Sequence, residues 1–190
     1  CLWLNDLESA ADKIESLFCE QNITKGEMKI SVPSYLPNAM TPRLQLTPPH
    51  YAYLKIADGC SNHCSYCSIP AIRGEFRSRK PEDIIREAEN LLNNGCKELI
   101  LIAQDSSNYG RDLEKKSTIT HILKKLIELR PPNDFWIRLM YCHPKHFSDE
   151  LLELFQGESR LLPYIDIPLQ HISDKILRAM NRGVSPQKTK

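Results

Sequence analysis

Three cysteines fall within eight positions of the chain: Cys60, Cys64 and Cys67, separated by three and then two residues. Thiolates are the usual ligands of iron–sulfur clusters, and a 4Fe-4S cluster held entirely by cysteine takes four of them. A local group of three therefore leaves one iron open to another molecule. The spacing predicts a 4Fe-4S site whose open iron is available for chemistry.

A structural zinc site is the alternative interpretation, because zinc also binds cysteine and histidine, in tetrahedral sites. His50 or His63 would have to supply the fourth ligand. Zinc modules usually combine one close ligand pair with a second pair farther along the chain, and no second close pair follows Cys67 within about seventy residues. The pattern therefore favours iron and sulfide over zinc.

The other four of the seven cysteines, Cys1, Cys19, Cys96 and Cys142, are scattered along the chain. This is not the pattern of a small domain held together by disulfides. Cys96 and Cys142 are predicted to be packed thiols, since free cysteine behaves as a small apolar residue. Cys1 and Cys19 are given no ligand role.

Several histidines and arginines also invite a functional interpretation. His143, His146 and His171 fall on different predicted loops without paired spacing, so satisfied hydrogen bonds are favoured over metal binding. Arg73 and Arg79 are left without a role, because exposed arginines are commonly solvated surface charges.

The elements that must position the cysteines follow from an alternation of short apolar runs with longer amphipathic stretches. The predicted strands cover 51–57, 98–103, 135–140 and 164–167, and the helices that follow them cover 81–93, 119–129, 148–155 and 173–180. Such an alternation is typical of βα units on a parallel sheet. The cysteines follow the first strand, at the sheet end where barrel folds keep their active sites.

Composition and charge are those of a globular protein. The chain has 190 residues, 41% of them hydrophobic, and 25 Lys plus Arg balance 24 Asp plus Glu. This near-neutral balance gives no bulk electrostatic reason to expect nucleic-acid or membrane binding. No apolar run approaches the roughly 20 residues of a membrane span, and the N-terminus does not resemble a signal peptide. A cytoplasmic location is the expectation.

Sequence blocks around the cysteines carry a family resemblance. The chain resembles the AdoMet-radical methylthiotransferases, where AdoMet is S-adenosylmethionine, over about 43–183. The matching blocks are Tyr51-Ala-Tyr-Leu-Lys-Ile-Ala-Asp-Gly-Cys60, Ile69-Pro-Ala-Ile-Arg-Gly74, Glu98-Leu-Ile-Leu-Ile-Ala-Gln-Asp105 and Leu162-Pro-Tyr-Ile-Asp-Ile-Pro-Leu-Gln-His171. The second and third blocks are closer to the branch that modifies ribosomal protein S-twelve than to the transfer-RNA branch, which remains the alternative.

The resemblance implies a partial TIM-like (βα) barrel of the radical AdoMet type, with about four of an expected six βα units. Residues 46–190 would form this core, truncated at its C-terminal end. Residues 1–45 would be a helix over 4–19 and a linker from a missing N-terminal domain. That domain would hold a second 4Fe-4S cluster, so the chain is expected to be an internal fragment.

The resemblance also implies a reaction and a site. Cys60, Cys64 and Cys67 would hold the cluster, while Tyr66 and Gln104 would contact AdoMet. Cleavage of AdoMet would give a radical that allows methylthiolation of the β-carbon of an aspartate in ribosomal protein S-twelve. The expected electron donor is a flavodoxin or ferredoxin, and the expected state is a monomer. Asp166 is expected to line the cavity.

Overall fold

A computed structural model describes residues 35–114, 117–185 and 187 of the chain. The predicted helix over 4–19, and with it Cys1 and Cys19, lies outside the described residues. Within them, none of the helices is long and apolar enough to cross a membrane.

The centre of the fold is a parallel sheet of three strands, in the order β1 (Tyr51–Lys55), β4 (Glu98–Ile102) and β5 (Trp136–Leu139). Tyr51 is paired in register with Glu98, and Glu98 in turn with Trp136. The predicted α/β architecture with a parallel sheet is confirmed, and the first three predicted strands are in place. Their carboxyl ends therefore meet along one edge.

Successive side chains along the strands point to opposite faces of the sheet, so that one face is buried and the other is partly exposed. The side chains on the covered face are all fully buried: Ala52, Leu54, Leu99, Leu101, Ile137 and Leu139. On the opposite face Tyr53 is 44% exposed and Trp136 39% exposed. Helices on one face and an open concave face are consistent with a partial barrel.

Four helices follow the strands at the predicted places: α2 (Pro81–Asn93), α3 (Ile119–Ile127), α4 (Asp149–Gly157) and α5 (Asp174–Ala179). Pro81 begins α2 at the position where the missing proline N–H costs nothing. The side chains of Thr118 and Ser148 cap α3 and α4 by accepting from the backbone N–H three residues on. Local sequence signals therefore set these boundaries.

The predicted first strand is divided at Ile56, and the chain beyond it pairs elsewhere. Residues of β2 (Ala57–Asp58) form a two-stranded antiparallel ladder with β3 (Arg77–Ser78), and α1 (Ile69–Arg73) lies between them. Ile56 joins the two ladders, since its N–H donates to Ile102 and its carbonyl accepts from Arg79. Residues 59–76, which carry the three cysteines, form the cysteine loop, and the β2–β3 ladder holds the two ends of this loop together.

The prediction of a fourth strand at 164–167 is wrong. Only an isolated bridge between Leu161 and Ile137 continues the parallel pairing, and 164–167 form no strand. Pro163 has no N–H to donate to the ladder, and the N–H of Tyr164 turns back to the carbonyl of Leu162 at 2.7 Å. The fourth unit therefore consists of an irregular segment followed by α5.

Candidate functional site

The cysteine loop begins at a glycine that the fold requires. Gly59 has φ +77°, and a Cβ placed on it would lie 2.1 Å from the carbonyl oxygen of Glu75. The next residue, Cys60, donates its N–H to Gly74 at 3.1 Å. The loop between β2 and β3 can close this tightly only with glycine at this position.

A cavity of about 560 Å³ opens beside this loop. It is lined by the carboxyl ends of the strands and by the segments that follow them, including Cys60, Asn62, Cys64, Tyr66, Cys67, Gln104, Cys142, His143, Asp166, Gln170 and Arg182. All five residues predicted for the site therefore border one cavity, and so does Asp166. A second cavity, of about 510 Å³ between 37–45 and α2, contains no cysteine and is not where the predicted chemistry lies.

The three thiols are free and differ in exposure. Cys64 is buried, Cys60 is half-buried and Cys67 is exposed. Burial raises the pKa of the Cys60 thiol, and the backbone N–H of Asn62 opposes this by stabilising the thiolate. Because metal ligation requires the thiolate, binding a cluster would release protons from this loop.

The separation of the thiols bears on the choice between zinc and a cluster. Among the described residues, the group whose ligand atoms all lie within 4.8 Å of one another is Asp105, His143 and His146, and the three thiols do not form such a group. One tetrahedral zinc with bonds of about 2.3 Å would hold its sulfurs within about 4 Å of each other. A cubane binds each thiolate through a different iron, which spaces the sulfurs more widely. The thiols are therefore not gathered around one tetrahedral ion, and their arrangement is compatible with a cubane.

Asp105, three residues beyond the end of β4, connects the cysteine loop to the segment that follows this strand. Its side chain is 1% exposed, and its Oδ2 accepts from Asn62 Nδ2 at 2.8 Å and lies 2.7 Å from His146 Nδ1. Its Oδ1 accepts from the Ser107 hydroxyl at 2.6 Å. Burial raises the pKa of Asp105, but the hydrogen bonds from His146, Ser107 and Asn62 outweigh it and leave the pKa below its ordinary value.

Gln104, the neighbour of Asp105, remains exposed at the cavity. The strand end therefore gives one side chain to the interior network and the next to the cavity. Both residues lie in a bend beyond Ile102, the last residue of β4. Sequence reasoning selected Gln104 and did not foresee the structural link made by Asp105.

The histidines are engaged in hydrogen bonds. Nδ1 of His143 accepts from the N–H of Lys145 at 3.1 Å, and Nδ1 of His171 accepts from the N–H of Ser173 at 2.8 Å. Burial lowers the pKa of His143 to about 4, so this ring is neutral near pH 7. The predicted hydrogen-bonding role is favoured for His171 and His146, whereas His143 fits it only at Nδ1, because its buried Nε2 has no hydrogen-bond partner among the described residues.

Two further predictions concern buried side chains. Cys96 and Cys142 are each 2% exposed, in agreement with their assignment as packed thiols. Burial raises the pKa of Cys142 to about 12, so this thiol stays protonated. Arg79, in contrast, is not a surface charge: it is 2% exposed and forms an ion pair with Glu87 at 2.7 Å, away from the cysteines.

The segment that follows α5 packs directly on the cysteine loop. The carbonyl of Met180 accepts from the N–H of Ser65 at 3.0 Å, and Asn181 Nδ2 donates to the carbonyl of His63 at 2.9 Å. Arg182 reaches the loop with its guanidinium, where Nη1 lies 3.5 Å from Cys64 Sγ. No local sequence signal indicated this contact, because the two residues are 118 positions apart.

A search against known families gives the class of protein. Residues 54–190 match the Radical SAM superfamily, and the chain belongs to it. The cysteine loop and all of the parallel sheet except residues 51–53 of β1 lie within this match. A 4Fe-4S cluster and AdoMet are the cofactors of this class, and the cavity beside three free thiols fits them.

Among curated proteins, the chain is similar to methylthiotransferases that are named for ribosomal protein uS12. The chain is 46% identical over 181 residues, 95% of its length, to the ribosomal protein uS12 methylthiotransferase RimO of Syntrophus aciditrophicus (strain SB), of which it covers 40%. It is 51% identical over 146 residues, 77% of its length, to the RimO of Thermoanaerobacter sp. (strain X514), of which it covers 33%. The chain therefore spans about two fifths or less of these relatives.

Solved structures agree on the fold. The radical S-adenosylmethionine methyltransferase TsrM from Kitasatospora setae superimposes with a TM-score of 0.56 at 16% identity, over 71% of this chain and 26% of that one. At this identity the likeness concerns the fold alone.

Proposed function

We propose that this chain is the radical-generating part of a methylthiotransferase that modifies an aspartate of ribosomal protein S12. The observation that carries the proposal is the meeting of three free cysteines at one cavity in a chain 46% identical to a uS12 methylthiotransferase over 95% of its length. The residue blocks that resemble the ribosomal-protein branch support the same substrate.

In this proposal Cys60, Cys64 and Cys67 hold a 4Fe-4S cluster whose fourth iron is open toward the cavity. When bound, the reduced cluster supplies the electron that cleaves AdoMet into a carbon radical capable of attacking an unactivated C–H bond. The protein's own part is to hold three thiolates at fixed positions and to present polar groups to AdoMet. Three free thiols beside a cavity of about 560 Å³ are consistent with that role.

Tyr66 and Gln104, which both line the cavity, are proposed to contact AdoMet. Tyr66 is 51% exposed, so its ring is available to a ligand, and it sits between two of the cysteines. Gln104 projects from the end of β4 with an amide that offers both donors and an acceptor. A flat ring and an adaptable amide suit an adenine and an amino-acid group, respectively.

Anaerobic reconstitution with iron and sulfide tests the cluster assignment. We expect brown protein with about four irons for this site, and loss of that iron in Cys60→Ala, Cys64→Ala and Cys67→Ala. Cys142→Ala is the matched control, because Cys142 also borders the cavity but is proposed to remain a thiol. A colourless protein that retains one tightly bound zinc would overturn the proposal.

The substrate requires a separate assay. The full-length enzyme, supplied with AdoMet, a sulfur source and reduced flavodoxin or ferredoxin, should increase the mass of ribosomal protein S12 by one methylthio group. A mass gain on transfer RNA alone would assign the chain to the other branch. The proposed enzyme is a cytoplasmic monomer, which gel filtration and fractionation would check.

A further inference from the structure

We propose that Arg182 is the buried counter-charge of the cluster at Cys60, Cys64 and Cys67, and that its positive charge raises the reduction potential of that cluster. The inference rests on the proposed function, since it assumes that Cys64 is a cluster ligand. It assigns a role to a residue that lies outside the cysteine motif.

Arg182 is 6% exposed and borders the cavity. Its Nη1 lies 3.5 Å from Cys64 Sγ and 3.4 Å from the Tyr66 hydroxyl, while Nη2 donates to the carbonyl of Pro168 at 2.5 Å. Its Nε is buried without a hydrogen-bond partner in the described part of the chain. The guanidinium is thus held in place, but not all of its five N–H donors have a hydrogen-bond partner.

The charge of Arg182 is not balanced by a carboxylate. Among the described residues, no Asp or Glu forms an ion pair or hydrogen bond with it, and its three partners are a thiol, a phenol and a carbonyl. A buried charge without a paired anion is costly, so such arrangements usually have a counter-ion or a function.

Cys64 is the partner that changes charge when the site is filled. Binding to iron removes the thiol proton, because the thiolate is the ligand. An anionic sulfur would then stand next to the guanidinium, and a cluster held by three thiolates would add to the negative charge of the site. Cluster binding would thereby give the Arg182 cation an anionic partner.

The same charge acts on electron transfer. One-electron reduction, with an external reductant as the donor, adds one negative charge to the cluster and makes or breaks no bond in the protein. A neighbouring cation stabilises the reduced state more than the oxidised one, and nearby charge and hydrogen bonds to sulfur are recognised determinants of cluster potential. Removing the charge should therefore make reduction harder.

A redox titration followed by electron paramagnetic resonance tests this in the anaerobically reconstituted full-length protein without AdoMet. The relevant signal is the one that Cys64→Ala abolishes. Arg182→Gln should lower the ratio of reduced to oxidised cluster about tenfold at a fixed potential, which is about 59 mV for a one-electron couple. Arg182→Lys keeps the charge and should remain close to wild type.

Arg178→Gln is the matched control, because Arg178 lies four residues away on α5 with its side chain 80% exposed. It should leave the potential unchanged. If Arg182→Gln fails to assemble a cluster, assembly in Arg182→Lys supports the need for charge, and failure of both variants assigns Arg182 to packing and overturns the inference.

An unchanged potential in Arg182→Gln with a full complement of iron would also overturn it. Weaker AdoMet binding at unchanged potential would instead make Arg182 a partner of the AdoMet carboxylate. Absence of any cluster in the wild-type protein is a different result, since it contradicts the proposed function itself.

Discussion

The side-chain amide of Asn62 donates to the buried carboxylate of Asp105 across 2.8 Å, which joins the cysteine loop to the end of β4. The same amide nitrogen lies 3.5 Å from Cys60 Sγ. One side chain therefore connects a proposed cluster ligand with a network that also contains Ser107 and His146. The position of the loop depends on this polar contact as well as on apolar packing.

Replacing Asn62 tests that dependence. Asn62→Asp would place a second carboxylate against the buried Asp105, where two like charges repel each other, in addition to removing the hydrogen bond. Asn62→Ala removes one hydrogen bond to a charged group, worth about 1.5–3 kcal/mol. We expect iron to be released to a chelator fastest from Asn62→Asp, more slowly from Asn62→Ala and slowest from wild type. Equal release from the two variants would contradict the electrostatic argument.

Replacing Gly59 tests the close approach of the two ends of the cysteine loop. Gly59→Ala would put a Cβ 2.1 Å from the Glu75 carbonyl at a φ of +77°, so we expect a loss of at least about 1–3 kcal/mol in the free energy of unfolding. Gly157→Ala, within α4, is the control because a Cβ there meets no atom within 4 Å. Urea denaturation should show that the control is neutral or slightly stabilised, by up to about 1 kcal/mol.

Local patterns accounted for the three paired strands and for α2 to α5, whereas the short helix α1 was not predicted. The apolar run Leu99-Ile100-Leu101-Ile102 identifies β4, and capping residues such as Ser148 mark where helices start, so both features can be read within a short window of sequence. The predicted strand at 164–167 failed because the window was apolar but Pro163 interrupted the ladder. The division at Ile56 was missed because it depends on pairing with residues 77–79.

In the site, too, only features within a short window of sequence could be predicted. Cys60, Cys64 and Cys67 are recognisable because their spacing is itself the signal. Asn62 and Asp105 are 43 positions apart, and Cys64 and Arg182 are 118 apart. Contacts at such separations are created by the topology of the sheet and of the segment after α5. The ligand motif could therefore be predicted, whereas its electrostatic surroundings required the fold.

His143 should make stability depend on pH. Its pKa is lowered from 6.5 to about 4, chiefly by burial. The stabilisation is fully present above about pH 6.5 and is lost as the pH falls toward 4, because the unfolded chain takes up a proton that the folded chain refuses. A difference of this size corresponds to at most about 3 kcal/mol.

Urea midpoints measured between pH 7.5 and 4.5 would check this dependence. His143→Gln should flatten the profile, and His171→Gln should not, because His171 is exposed. Asp105 acts in the same direction but over a lower range: its pKa is lowered from 3.8, so its stabilisation is lost as the pH falls below that value. An unchanged profile in His143→Gln would show that the buried ring is not the titrating group.

The last prediction concerns Asp105, His143 and His146, whose ligand atoms lie within 4.8 Å of one another. Both carboxylate oxygens of Asp105 already accept hydrogen bonds from neighbouring side chains, and Nδ1 of His146 lies against one of them. A metal ion would have to replace these contacts, so we expect no tight binding there. In the triple variant Cys60→Ala, Cys64→Ala and Cys67→Ala, dialysis after exposure to zinc should leave less than a tenth of an equivalent attributable to this group. Retention of one zinc that disappears on adding His143→Ala would show instead that the group is a metal site, and that the hydrogen-bonding interpretation of its histidines is wrong.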